Sequence, residues 1–263
     1  MKKAFFFIVG IVIVNNFITA DDFRLPPKID LTRYISGNIK VNFPNIFSWG
    51  TRSDVRIWGW SRTGKIAISQ EYIQPGYDNV KPHISRLEYY IIDLNKDEIV
   101  FECSWDSYNG MSYSDKPPQI FFDMSESGVK KLFDLQKVSI SNANARHGII
   151  YNQSVFLSFP VKNDNYTYSC RANFTTRMED EGAGQTIDNY DVIVSRNDGK
   201  RKAIASVSLY DGDHNFFPNV NICGYFKSPY ENRIVVVIAE ELSGLGEGII
   251  WKFNGCHLEA GFN

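Results

Sequence analysis

Apolar and polar residues alternate with period two over much of the chain, the mark of half-buried β-strands. Val55-Arg56-Ile57-Trp58-Gly59-Trp60 reads as a strand, Ser61-Arg62-Thr63-Gly64 as a turn, and Lys65–Tyr72 as the returning strand. After a polar loop holding Pro75, Gly76 and Pro82, Leu87–Leu94 and Glu98–Cys103 form a second pair, joined by the tight turn Asn95-Lys96-Asp97. Further strands are expected at Gln153–Phe159, Tyr166–Thr176, Tyr190–Ser195 and Lys202–Leu209. Asn197-Asp198-Gly199 supplies the hairpin turn between the last two, because Asp and Gly tolerate the positive φ it needs. The C-terminal third reads as a meander of Val220–Phe226, Arg233–Glu241 and Gly248–Leu258.

One short helix is predicted near 125–136. Ser125 or Ser127 can cap it, and Val129, Leu132 and Phe133 fall at i, i+3 and i+4. It is expected to end before the alternating Val138-Ser139-Ile140-Ser141. The fold class is therefore mainly β, with antiparallel hairpin sheets arranged as a propeller or a sandwich. Two echoes suggest recurring units: Gly59-Trp60 and Lys65–Ile68 resemble Gly224-Tyr225 and Arg233–Val236, and Tyr89–Phe101 resembles Tyr190–Ile204.

The N-terminus breaks this pattern. Met1-Lys2-Lys3 is a short basic region, Ala4–Val14 is unbroken and apolar, and Asn15–Ala20 leads to Asp21-Asp22. That layout predicts a signal peptide over 1–20, cleaved after Ala20. The run falls short of the roughly 20 residues of a spanning helix. Residues 21–263 are then one β-rich domain with sub-regions 21–105 and 150–263, joined by a loop and helix. The expected location is periplasmic or secreted. Loss of Lys2 and Lys3 takes the net charge from −2 to −4. A weakly acidic chain without a basic block excludes nucleic acid as a partner, and no mature segment is long enough to span a membrane.

Cys103, Cys170, Cys223 and Cys256 permit two disulfides in three connectivities, and none forms Cys-x-x-Cys. If Phe226 faces Arg233 and Leu242 faces Ile249, Cys223 faces Val236, which faces Gly255. Cys223 and Cys256 then lie about 10 Å apart, beyond the about 7 Å reach of a disulfide.

Asp211, Asp213 and Asn215 place oxygens as in the start of a calcium loop, but Phe216 replaces the required Gly and Ile222 the closing acid. An irregular metal site and a solvated turn both remain open there. Glu179-Asp180-Glu181 reads as a loop. His83, His147, His214 and His257 make no zinc motif, and Ser127-Gly128-Val129-Lys130 lacks the companion elements of a penicillin-recognising enzyme. Gly244–Gly248 lies between strands and is no phosphate cradle. No motif calls for a cofactor. Trp58 and Trp60, two apart, would share one strand face: packed inward they belong to the core, the commoner place for aromatics, and exposed they would stack a sugar or peptide, with Trp105, Tyr108 and Tyr113 as the next candidate surface.

Trp60–Ala67 and Tyr89–Asp97 resemble strands of a β-propeller blade. Those segments, with Gly224–Ile234 and Phe253–Leu258, resemble a set of uncharacterised secreted bacterial proteins, a domain of unknown function. The resemblance implies export and a β-rich fold and carries over no catalytic residue. The expected role is a binding module for a protein or carbohydrate partner. The alternatives are a hydrolase built from dispersed Asp, Glu and His, or a structural assembly component.

Overall fold

The computed structural model describes residues 25–34, 52–74, 83–106, 122–123, 125–178, 185–209, 215–216, 219–244 and 248–263. The segment 1–20 and Tyr108, Tyr113, Asp211, Asp213 and His214 lie outside the described residues. The fold is mainly β: three antiparallel sheets and one long helix. The first sheet is a meander of β1 (Arg52–Trp60), β2 (Lys65–Gln74), β3 (His83–Asp93) and β4 (Glu98–Asp106), with β5 (Phe122–Asp123) on β3. Helix α1 (Glu126–His147) follows, and β6 (Phe156–Leu157) begins the return. The third sheet runs in space as β10 (Arg201–Ser208), β9 (Gln185–Arg196), β8 (Thr167–Met178), β7 (Val161–Lys162). β11 (Asn215–Phe216), β12 (Val220–Lys227), β13 (Arg233–Gly244) and β14 (Gly248–His257) complete the central sheet, in which β12 pairs with β6.

Three hydrophobic clusters order these layers. Val129, Leu132, Phe133, Ile140 and Ala143 of α1 pack on Trp58, Leu87, Tyr89 and Ile91 of the first sheet. The opposite face of that sheet, with Ile57, Trp60, Ile66, Ile68 and Ile92, packs on Phe226, Val235, Val237 and Phe253 of the central sheet. Ile234, Val236, Ile238 and Cys256 turn the other way, onto Tyr168, Tyr190, Val192 and Val194 of the third sheet. The order is helix, sheet, sheet, sheet. β13 is covered on both faces, which is why Ile234–Ala239 is an unbroken apolar run whose six residues are fully buried.

The meander stands, but its register differs from the one expected. Ser228 N–H bonds the Arg233 carbonyl and Lys227 lies opposite Ile234, so Phe226 meets Val235 rather than Arg233. Leu242 lies opposite Gly248, one residue from the expected pairing. Cys223 sits in a bulge between Ile222 and Gly224 and faces the first sheet, whereas Cys256 faces the third. Opposite faces exclude a Cys223–Cys256 bridge.

The helix is also longer than the expected 125–136. Its apolar stripe resumes at Ile140 and Ala143, so the alternation at 138–141 belongs to a helical face, not a strand. Ser125 is the N-cap, accepting from Gly128 N–H at 3.1 Å, and Gly148 closes the helix at φ 65°. Of the strand expected over Gln153–Phe159, only Phe156 and Leu157 pair.

The two ends of the stack differ. The turns at 61–64, 94–97, 197–200 and 228–232 all lie at one end. There Arg233, 6% exposed, donates to the Leu94 carbonyl at 2.8 Å and to Asn95 Oδ1 at 2.5 Å, locking the first sheet to the central one. The ends of β2, β4, β8, β10 and β13 and the starts of β3, β9 and β14 lie at the other rim.

Candidate functional site

The expected tryptophan platform is not formed. Trp58 and Trp60 are 5% and 0% exposed and point to opposite faces of the first sheet. The cause is a β-bulge: Ile57 lies opposite Ile68 and Gly59 opposite Ala67, so Trp58 is the extra residue and the period-two alternation breaks. Each indole N–H is satisfied inside the fold, Trp58 by Ser69 Oγ at 2.9 Å and Trp60 by Ser154 Oγ at 2.8 Å. Trp105, on β4 opposite Leu87, is half-buried against the helix cluster. The backbone of Asn215 pairs with Gly244, which sets the end of the 211–215 segment beside the end of β13. Among the described residues no cluster of three or more His, Cys, Asp or Glu is placed to hold a metal. His257 lies at the tight-turn end, its Nδ1 accepting from Glu259 N–H at 3.2 Å, away from the buried carboxylates of the rim.

What gathers at this rim is a polar network that runs from the buried Gln70 and Tyr90 through the half-buried Tyr72 and Glu88 to the exposed Arg86 and Glu102. On β2, the face that carries Ile66 and Ile68 continues as Gln70 and Tyr72. On β3 the same face carries Arg86, Glu88 and Tyr90, and Glu102 lies opposite Tyr90 on β4. Strand pairing sets Gln70 beside Glu88 and Tyr72 beside Arg86. Tyr72 hydroxyl donates to Glu88 Oε2 at 2.8 Å, and Arg86 reaches Glu88 Oε1 at 2.5 Å. The Arg86 guanidinium also stands 5.9 Å from the Tyr72 ring centroid. Gln70 Nε2 donates to the Tyr90 hydroxyl, while Gln70 Oε1 is buried with no hydrogen-bond partner. Burial, reinforced by Glu88, pushes the Tyr72 hydroxyl far above the usual phenol range, and burial does the same to Tyr90. Both phenols therefore stay protonated: Tyr72 donates to Glu88, and Tyr90 accepts from Gln70.

A second group lies behind the central sheet. Glu240, 1% exposed, accepts from the Tyr190 hydroxyl and has Lys252 Nζ at 3.8 Å. Burial raises its carboxyl above the ordinary range, against the opposing pull of Tyr190 and Lys252. Its neighbour Glu241 points toward the first sheet's side and accepts from Asn219 Nδ2 at 2.7 Å. Among the described side chains, neither His147 nor His257 hydrogen-bonds these carboxylates. Burial pushes all four thiols up, Cys103 and Cys256 to about 11, Cys170 and Cys223 to about 12, so none offers a thiolate at neutral pH.

Sequence alone carried a signal for this array: Gln70 and Tyr72 extend the Ile66–Ile68 alternation, and Arg86-x-Glu88-x-Tyr90 has the same period. What it lacked was the knowledge that a second sheet covers the Gln70 and Tyr90 end of this face. No protein-family model matches this chain, and no curated protein and no solved structure matches it.

Proposed function

We propose that this is an exported binding protein whose ligand site is the rim between the first and central sheets where β2 ends and β3 begins. The observation that supports it best is the array Gln70, Tyr72, Arg86, Glu88 and Tyr90, in which donors and acceptors are pre-oriented on rigid strands and one buried amide atom has no partner. Stacking and hydrogen bonding act without a poised acid–base pair, whereas hydrolysis needs one within reach of the substrate. The basic and apolar layout of residues 1–20 supports delivery to the periplasm or the exterior.

The test is capture of ligand or partner from an envelope extract by the immobilised protein, compared with Glu88→Ala and Tyr72→Phe. These changes open the rim network without entering the apolar core. Capture should fall about tenfold for Glu88→Ala, the equivalent of one charged hydrogen bond. Equal capture by both folded variants would place the binding surface elsewhere.

A further inference from the structure

The Gln70–Tyr90 pair is chemically incomplete. Gln70 Nε2 donates to the Tyr90 hydroxyl, so the phenol has used an acceptor lone pair and still carries a proton to donate. Gln70 Oε1, on a residue only 5% exposed, is an acceptor without a donor. Turning the amide over only exchanges the roles: the phenol then donates to the carbonyl, and the amide nitrogen is left over. A buried polar atom left unpaired costs on the order of 1–3 kcal/mol, and such a cost in a rim network points to a missing partner.

From this pair we infer a subsite for a neutral, hydroxyl-bearing ligand, a saccharide or related polyol, one of whose hydroxyls completes the Gln70–Tyr90 pair. The inference rests on the binding role proposed above. A hydroxyl both donates and accepts, so it satisfies the carbonyl and the phenol together. An ammonium group cannot accept, and a carboxylate or phosphate cannot donate to the amide oxygen. Charge points the same way: Arg86 is already paired with Glu88, and Glu102 and Glu241 add further acidic groups, so among the described residues an anionic ligand meets no free cation beside this pair. The next residues toward the rim on the same face are Tyr72 and Arg86. The Arg86 side chain is 48% exposed, so its displacement is the natural way in. The ring of Tyr90 stands 6.3 Å from that of Phe253, which leaves an apolar wall behind the polar pair. An apolar floor with a few oriented polar groups is the usual make-up of a sugar-binding pocket.

The full-length protein is tested on an array of neutral, acidic and amino oligosaccharides, with Gln70→Leu, Tyr90→Phe and the outward-facing Arg171→Ala as variants. The expected result is binding of at least one neutral oligosaccharide, weakened tenfold or more by both Gln70→Leu and Tyr90→Phe and unchanged by Arg171→Ala. Tyr90→Phe removes one oxygen without changing shape, so it reads the subsite even where Gln70→Leu disturbs folding. A monodeoxy form of the bound sugar should lose as much as the variants do. Neutral-sugar binding that neither variant weakens, with a raised Tm, overturns the subsite: the pair then holds a buried water, and the rim reading stands. Preference for acidic sugars, or rim-dependent capture of a protein with no sugar bound, overturns the ligand class. Absence of both sugar binding and rim-dependent capture overturns both readings.

Discussion

At the scale of single residues, the buried charges decide most. Arg56 and Glu71 are each about 2% exposed and meet at 2.5 Å, with Arg56 also donating to the Pro26 carbonyl, so this guanidinium joins the Ile29–Val55 backbone bond and the Lys28–Asp54 pair in tying the N-terminal segment to β1. Removing one partner strands the other charge, so Arg56→Met should destabilise by about 3–5 kcal/mol in chemical denaturation. The double change Arg56→Met with Glu71→Leu should recover most of that loss. A double variant no more stable than the single would show that the pair itself contributes net stability. Glu240 behaves differently, because its folded pKa is raised and its charged form is the disfavoured one. Its contribution is fully present below the unfolded carboxylate pKa and is lost as pH rises through the folded value. Glu240→Gln keeps an acceptor for Tyr190 and removes the charge. It should raise Tm by a few degrees at pH 7 and leave it unchanged at pH 4, as measured by thermal melts across that range.

At the scale of elements, the two bulged strands explain one another. Gly59 and Gly224 adopt φ 150° and 155° at matching bulges in β1 and β12. A Cβ at Gly59 would lie 2.2 Å from the Ile150 carbonyl oxygen, and one at Gly224 would lie 2.4 Å from the Leu157 carbonyl oxygen. The segment 149–157 thus passes over both bulges, bonding Trp60 in both directions through Ile150 and then pairing with β12 as β6. The echo between Gly59-Trp60 and Gly224-Tyr225 is a repeated device for receiving a crossing strand. Gly59→Ala should cost about 3 kcal/mol or more, from overpacking plus backbone strain. Gly199→Ala, in a turn at φ 91° with open space around it, should cost only about 1 kcal/mol. Urea titration of both variants checks the difference, and equal losses would mean that the Ile150 contact is not what demands glycine.

At the scale of the whole molecule, the last three long strands in sequence form the middle layer, between sheets built earlier in the chain. The two expected sub-regions are therefore joined through β12–β14, not merely linked. The cysteines record this layering: Cys103 faces the helix, Cys223 the first seam, and Cys170 and Cys256 the second. Peptide mapping without reduction should accordingly find no Cys223–Cys256 link. The export reading predicts that N-terminal sequencing of protein from the envelope fraction begins at Asp21. An intact Met1 in a cytosolic fraction would refute it.

The sequence by itself determined what depends on neighbours a few residues away. The period-two alternation placed β1 to β4, β8 to β10 and β12 to β14, Asn95-Lys96-Asp97 and Asn197-Asp198-Gly199 placed their turns, and Ser125 began the helix. The tertiary structure decided whatever depends on a distant partner. Trp58 and Trp60 part because a carbonyl some ninety residues further on requires Gly59 and its bulge. Helix α1 runs to His147 because the first sheet offers a face long enough to cover Ile140 and Ala143. Gln70, Tyr72, Glu88 and Tyr90 read locally as the polar half of two ordinary strands. Gln70 and Tyr90 are buried only because the central sheet closes over the same face, and burial is a property of the layer above, which no local pattern encodes.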